Sequence, residues 1–356
     1  MRRTGVARHL ANLALFGGAL LLVLLVVELV LRRFGLASPV LYRLDPVVGY
    51  EPRPGQASSR LGVTVHINDA GLRDDEPLAA IMRSPGRVLV VGNSVTYGSS
   101  LVSQDELFTE VAEEDLRPRW PGIKVLNGGV AGYSVSQIAR RAPRLMRSTE
   151  PQWLVLYVIR EDFNRAPVRY PHLDSDHEPQ RRPPLALMPF VRLSLGFVAG
   201  RYRVLDRWPT LKAVWPSAPP SRVPAYDQSR LADLHLEALA GMLRDWESTG
   251  RSRSRVLAFV SPTQQEVAER RERPNADLIA RLDSLGIRAH DLQPDFVEAM
   301  THNGRSAADY YHDNIHYRPA GNAVAGRVLA SYLTSALAAD SITSGAHRMS
   351  PAPRPN

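Results

Sequence analysis

Two short stretches carry side chains able to do nucleophilic chemistry. In the first, Gly92-Asn93-Ser94 follows the apolar run Val88-Leu-Val-Val91. Such a run, bounded upstream by Ser84-Pro85-Gly86, predicts a fully buried strand of a parallel sheet. Its turn leaves Ser94 at the strand's carboxyl end, where open α/β sheets bind ligands. A serine there becomes a nucleophile only when a base lies within hydrogen-bond reach; otherwise it is a helix N-cap. The second stretch is Asp309-Tyr-Tyr-His312-Asp313-Asn-Ile-His316, just before Pro319. Asp313 and His316 are three apart, so a carboxylate can orient the imidazole while its other nitrogen takes a serine proton. Asp309 and His312 repeat that spacing, and both pairs stay open. His312 and His316 at i, i+4 would suit zinc on a helix, but Pro319 places them in a loop. No metal or other cofactor is expected.

The elements that must position these groups alternate. After the strand at Val88–Val91, a helix is predicted over Asp105–Asp115 and a strand over Ile123–Leu126. The strand runs into the glycine-rich turn Asn127-Gly-Gly-Val-Ala-Gly132, followed by a helix from about Ser134 to Met146. Further strands are expected at Trp153–Ile159, Arg255–Val260 and Ile287–Leu292. Further helices are expected at Ser229–Glu247, Asn275–Leu285 and from Pro319 to about Ala338. Strands alternating with helices imply a parallel sheet covered on both faces.

Around this domain, expected at residues 87–338, lie less regular segments. Residues 1–9 form an N-terminal flank. Leu10–Leu31 is almost wholly apolar and arginine-flanked, and its length matches the roughly 20 residues a transmembrane helix needs. It reads as an uncleaved single-pass anchor, since the apolar core is long for a signal peptide and no small-residue cleavage site follows. Arginines at both ends nearly balance the positive-inside rule. Arg2, Arg3 and Arg8 tip the orientation toward a cytoplasmic N-terminus and an extracytoplasmic domain. Residues 32–86 form a membrane-proximal connector with one clear alternating strand, Gly62–Ile67. A proline-rich insertion, 165–225, breaks the pattern and reads as a packed surface insertion, with a lid or an interfacial patch as alternatives. Residues 339–356 read as a disordered tail.

The 356 residues, 44% of them hydrophobic, can bury a sizeable core. The net charge is +8, and Lys124 and Lys212 are the only lysines among 44 basic residues. No basic run is interleaved with aromatics, so nucleic acid is not an expected partner; anionic surfaces are. The absence of cysteine excludes disulfides and thiol catalysis.

Four segments in order resemble the SGNH/GDSL hydrolase superfamily: Gly92-Asn93-Ser94, Asn127-Gly-Gly-Val-Ala-Gly132, the end of the third strand, and Asp313-Asn-Ile-His316. The resemblance covers about residues 60–338. The anchor, then Asn68-Asp-Ala-Gly-Leu-Arg73, then this domain, is similar to membrane-anchored bacterial members. It implies a flavodoxin-like three-layer α/β/α sandwich with strand order 2-1-3-4-5. It further implies Ser94 as nucleophile, His316 as base and Asp313 as its orienting carboxylate, with the N–H groups of Ser94 and Gly132 as oxyanion donors. The implied reaction is acyl transfer from an ester, with O-acetylated envelope carbohydrate as the substrate class, by hydrolysis or by transfer to an acceptor. A lipid ester is the alternative. Two positions depart from the pattern. Asn93 replaces the usual Asp of the first block, a mild change. Arg160-Glu161-Asp162 occupies the third block, with Glu161 where an oxyanion-donating Asn belongs. An ionised Glu cannot donate and would repel an oxyanion. Either Arg160 or Asn164 substitutes, or Glu161 is protonated or turned away, or the domain is catalytically weak and binds glycan or scaffolds an envelope assembly.

Overall fold

The computed structural model describes residues 3–167, 180–191, 194 and 228–348. Most of the insertion at 165–225 and the last part of the tail, 349–356, lie outside the described residues.

Helix α1 (Arg3–Arg33) opens the chain. Its portion Arg8–Arg33 is long and apolar enough to cross a membrane, and Leu10, Leu13, Phe16 and Leu20 to Val26 stand exposed along it. Two antiparallel hairpins follow: β1 (Tyr42–Asp45) with β2 (Gly49–Pro52), and β3 (Gln56–Arg60) with β4 (Val63–Ile67). Only β4 was evident as an alternating pattern. The polar β3 and the four-residue β1 and β2 have too little alternation to be read from sequence.

Five parallel strands form the central sheet: β5 (Gly86–Gly92), β6 (Ile123–Asn127), β7 (Trp153–Val158), β8 (Val256–Val260) and β9 (Arg288–Asp291). Their order is β6-β5-β7-β8-β9, which within the sheet is 2-1-3-4-5. Strand β5 is therefore flanked on both sides, pairing Val90 with Asn127 of β6 and Val155 of β7. The helices include α2 (Ser94–Tyr97), α3 (Phe108–Leu116), α4 (Val135–Thr149), α5 (Arg160–Asn164), α6 (Gln228–Ser248), α7 (Ala276–Ser284), α8 (Gln293–His302) and α9 (Pro319–Arg348), besides two single turns at Leu78–Ile81 and Gln264–Ala268.

The strands read as unbroken apolar runs because both faces are covered. Leu89 and Val91 of β5, Leu154 and Leu156 of β7, and Ala258 and Val260 of β8 join one core with α4, α6 and the hairpins. Val88 and Val90, Val155 and Tyr157, and Leu257 and Phe259 point the other way, into a core with α3, α8 and α9. This alternation with period two makes the architecture a three-layer α/β/α sandwich, the fold class the resemblance implied.

Two elements differ from expectation. Helix α8, with Pro at its first turn, carries a weak apolar face and was not predicted. Helix α9 runs to Arg348, so residues 339–348 are helical rather than a disordered tail. The helix continues from the alanine-rich turn 335–339, Gly345 costs it only about 1 kcal/mol, and the next proline is Pro351.

Candidate active site

Strand β5 delivers Ser94 directly into the first turn of α2. Asn93 caps that helix, its Oδ1 accepting the Val95 N–H at 2.7 Å. Ser94 occupies the first helical position, so its own N–H lacks a helical partner. The turn requires glycine at Gly92: a Cβ there would lie 2.0 Å from Thr96 Oγ1 and 2.4 Å from the Tyr157 carbonyl. Ser94 itself is 9% exposed, sheltered yet reachable.

Strand β6 ends in the glycine-rich turn, which lies against α2. Asn127 Nδ2 donates to the Thr96 carbonyl at 2.6 Å, while its Oδ1 accepts the Gly129 N–H at 3.0 Å. Gly129 approaches so closely that a Cβ would sit 2.3 Å from the Tyr97 nitrogen. Gly132 lies three residues on, with φ +77°. The Val130 N–H is taken by the Gly92 carbonyl at 3.1 Å. The Gly132 N–H has no hydrogen-bond partner among the described residues.

The loop before α9 brings the histidine. His316 Nε2 lies 2.8 Å from Ser94 Oγ, and His316 Nδ1 lies 2.7 Å from Asp313 Oδ2. Asp313 Oδ1 also accepts the N–H groups of Ile315 and His316, each at 2.8 Å. Partial burial works to raise the Asp313 carboxyl. The His316 ring and these backbone donors outweigh it and hold the group below the usual carboxylate range. Of the two pairs with equal spacing, Asp313–His316 is the one that meets Ser94. Asp309 instead caps Ser306, accepting its N–H and hydroxyl at 2.8 Å, and His312 is exposed. Among the described residues, no group of three His, Cys, Asp or Glu side chains is placed to hold a metal.

The loop is held from beneath by a buried hydroxyl chain that sequence reading missed. Tyr317 OH bonds Tyr157 OH at 2.8 Å and also the Ser261 hydroxyl. Tyr311 OH donates to the Pro262 carbonyl at 3.0 Å. The Gln264 N–H reaches the Asn314 carbonyl at 2.7 Å. The clue was the pair of tyrosines bracketing His316, Tyr311 and Tyr317, which pack on Phe296 of α8.

The third-block residues separate. Arg160 turns away to Asp277 of α7, at 2.7 and 3.1 Å. Asn164 is exposed and lines a small cavity of about 180 Å³ with Arg160, Phe163 and Leu231. Glu161 keeps Oε2 buried with no partner among the described residues. Asp162, which sequence reading did not single out, is fully buried. It accepts Asn93 Nδ2 on both oxygens, at 2.7 and 2.8 Å, and the Ile159 N–H at 3.0 Å. Burial pushes its carboxyl up to about 7, against the lowering effect of Ile159, Asn93 and Arg165. This explains Asn93: an Asp there would set two carboxylates together, whereas the amide caps α2 with one end and binds Asp162 with the other. Asp162 was findable as the last residue of the third block.

No family model matches the sequence, and no curated protein matches it. Solved structures do. A two-domain esterase active on acetylated mannans matches with TM-score 0.42 and 14% identity, over 72% of this chain and 51% of that one. The chain thus spans about half the length of that protein. A lipase/acylhydrolase from Enterococcus faecalis matches with TM-score 0.39 and 11% identity, over 70% and 96% of the two chains. A catalytic mutant of an acetylxylan esterase from Geobacillus stearothermophilus matches with TM-score 0.39 and 13% identity, over 68% and 92%.

Proposed function

We propose that this chain, built on the fold of the SGNH hydrolases, is a membrane-anchored serine esterase or O-acyltransferase acting on acylated carbohydrate of the cell envelope. The observation that carries this reading is the continuous chain from Ser94 Oγ through His316 to Asp313, at 2.8 and 2.7 Å. Ser94 Oγ attacks the ester carbonyl as His316 Nε2 takes its proton. Asp313 holds the ring by Nδ1 and stabilises the imidazolium. The N–H groups of Ser94 and Gly132 donate to the oxyanion. His316 then returns the proton to the leaving alkoxide. Water or a sugar hydroxyl, deprotonated by His316 in turn, releases the acyl group and regenerates Ser94. Helix α1 anchors the domain, with the N-terminus cytoplasmic and the site outside.

The experiment is labelling of the full-length protein by a fluorophosphonate, together with p-nitrophenol release from p-nitrophenyl acetate. Ser94→Ala and His316→Ala should each abolish both signals. Labelling that survives Ser94→Ala rules the mechanism out.

Glu161 favours a second reading. With a carboxylate in place of a side-chain donor, and Arg160 committed to Asp277, the oxyanion site has two backbone donors and no third among the described residues. A domain that binds acylated glycan or scaffolds an envelope assembly, with slow or no turnover, fits that lining. Retained glycan binding without fluorophosphonate labelling would select it.

A further inference from the structure

Helix α1 carries one acidic residue within its apolar span, Glu28, and an ionisable group at that depth requires a partner. Its partner comes from the middle of the chain. Glu28 Oε1 accepts the Ala186 N–H at 2.8 Å and Oε2 accepts the Leu187 N–H at 2.9 Å. Arg32 completes the clamp: its Nε bonds Glu28 at 2.6 Å while a terminal nitrogen donates to the Pro184 carbonyl at 2.6 Å. Ala186 and Leu187 pack with Val27, Leu31, Leu36 and Ala37. Residues 184–187 are thus fastened to the anchor, Ala186 lying 158 residues from Glu28 in sequence.

The face left outward is apolar. Leu185 is 47% exposed, Met188 55%, Phe190 42% and Val191 42%, and Phe34, the residue after α1, is 54% exposed. Residues 187–191 are helical, so this is a short ordered patch rather than scattered loop side chains. It flanks Ala186 and Leu187, which pack on Val27 and Leu31 of α1. At about 1.5 Å rise per residue, Glu28 lies roughly 6 Å inside the level of Arg32. Interfacial helices bury their apolar faces about 5–10 Å into the headgroup and acyl boundary. Arg32, Arg33, Arg181 and Arg182 are exposed at the rim, where cations meet lipid phosphates.

We propose that residues 184–191 are a second membrane-contacting element, seated in the lipid interface beside α1 and pinned there by Glu28. The occupant of the apolar patch is the bilayer. Its placement fixes the domain to the membrane at two points rather than one, so the domain is held in one attitude over the surface. This rests on reading α1 as a membrane anchor, and the test separates the two.

The chain has no cysteine, so single cysteines in the full-length protein report one site each. Met188→Cys, Val23→Cys and Ser248→Cys would each be spin-labelled in vesicles of phosphatidylcholine and phosphatidylglycerol. Collisions with oxygen and with a water-soluble nickel chelate are then measured. The expected result is a mobile label at 188 that is oxygen-accessible and nickel-shielded, like 23 and unlike 248. Glu28→Ala should return label 188 to nickel accessibility while 23 stays shielded. Label 188 nickel-accessible in the native background, with 23 shielded, overturns the proposal and leaves the anchor standing. Label 188 immobilised and shielded from both reagents means that protein covers the patch, and overturns it too. Label 23 nickel-accessible overturns the anchor, and the proposal with it.

Discussion

Within the site, the three residues proposed to react were legible because each lies in a short motif whose neighbours constrain the backbone. The choice between Asp313–His316 and Asp309–His312 was not. Equal spacing gives equal reach, and what separates the pairs is tertiary: Tyr311 and Tyr317 form a β-bridge across the loop, and Asp309 is consumed as a cap. Asp162 escaped notice because its partner, Asn93, is 69 residues away and becomes a neighbour only through the β5–β7 pairing. Glu161 is the position where a substitution is expected to raise turnover. One oxyanion donor is worth about 10²–10³ in turnover elsewhere. Glu161→Asn should therefore raise kcat on p-nitrophenyl acetate by about 10²-fold, measured in steady state, with fluorophosphonate labelling accelerated in parallel. Unchanged or lower rates would show that residue 161 does not face the oxyanion. Asp313→Asn should lower kcat by several orders of magnitude while leaving substrate affinity nearly unchanged, because it acts through the His316 ring.

Among the elements, the five sheet strands were predicted to within a residue or two at each end, since apolar runs between turn formers specify buried strands strongly. Strands β1 to β3 and α8 were not, for they are short or polar and take their order from packing: Tyr50 OH donates to the Ala131 carbonyl at 2.6 Å, and Gln137 Nε2 to the Val48 carbonyl at 2.8 Å. Those two bonds tie the connector to the glycine-rich turn and to α4. The close seating of that turn on α2 makes Gly129 sensitive. Gly129→Ala places a carbon 2.3 Å from the Tyr97 nitrogen, and backbone cannot yield as a side chain does. Overpacking of this kind costs about 1–3 kcal/mol. A fall in Tm of roughly 2–10 °C by scanning calorimetry is expected, with fluorophosphonate labelling slowed as the turn shifts. A Tm unchanged within a degree would mean that the turn is looser than described.

For the whole molecule, buried ionisable groups set how stability varies with pH. Burial raises Glu110 to about 8, helped by Glu113 and Asp74; it raises Asp162 to about 7 and Asp74 to about 6. A carboxylate raised on folding stabilises below its unfolded pKa and loses that contribution as pH rises through the folded one. His235, buried on α6, goes the other way. Burial lowers it to about 4, so its contribution is lost as pH falls from about 6.5 through 4. Above pH 6.5 His235 no longer opposes the carboxylates. Tm should then fall between about pH 6.5 and 8, and Glu110→Gln should flatten that fall. A flat profile in the native protein, read by scanning fluorimetry, would contradict the burial of these groups.

The separation of 222 residues between Ser94 and His316 also sets an order in time. Chains are made at about 5–20 residues per second, so Ser94 leaves the ribosome roughly 10–45 seconds before its base. By then α1 has long since been available to engage a membrane. On the proposed mechanism the serine is inert throughout its passage and gains its reactivity only when the final loop and α9 dock. On that mechanism the nascent chain carries no activity until the loop bearing His316 has been made and has docked against Ser94.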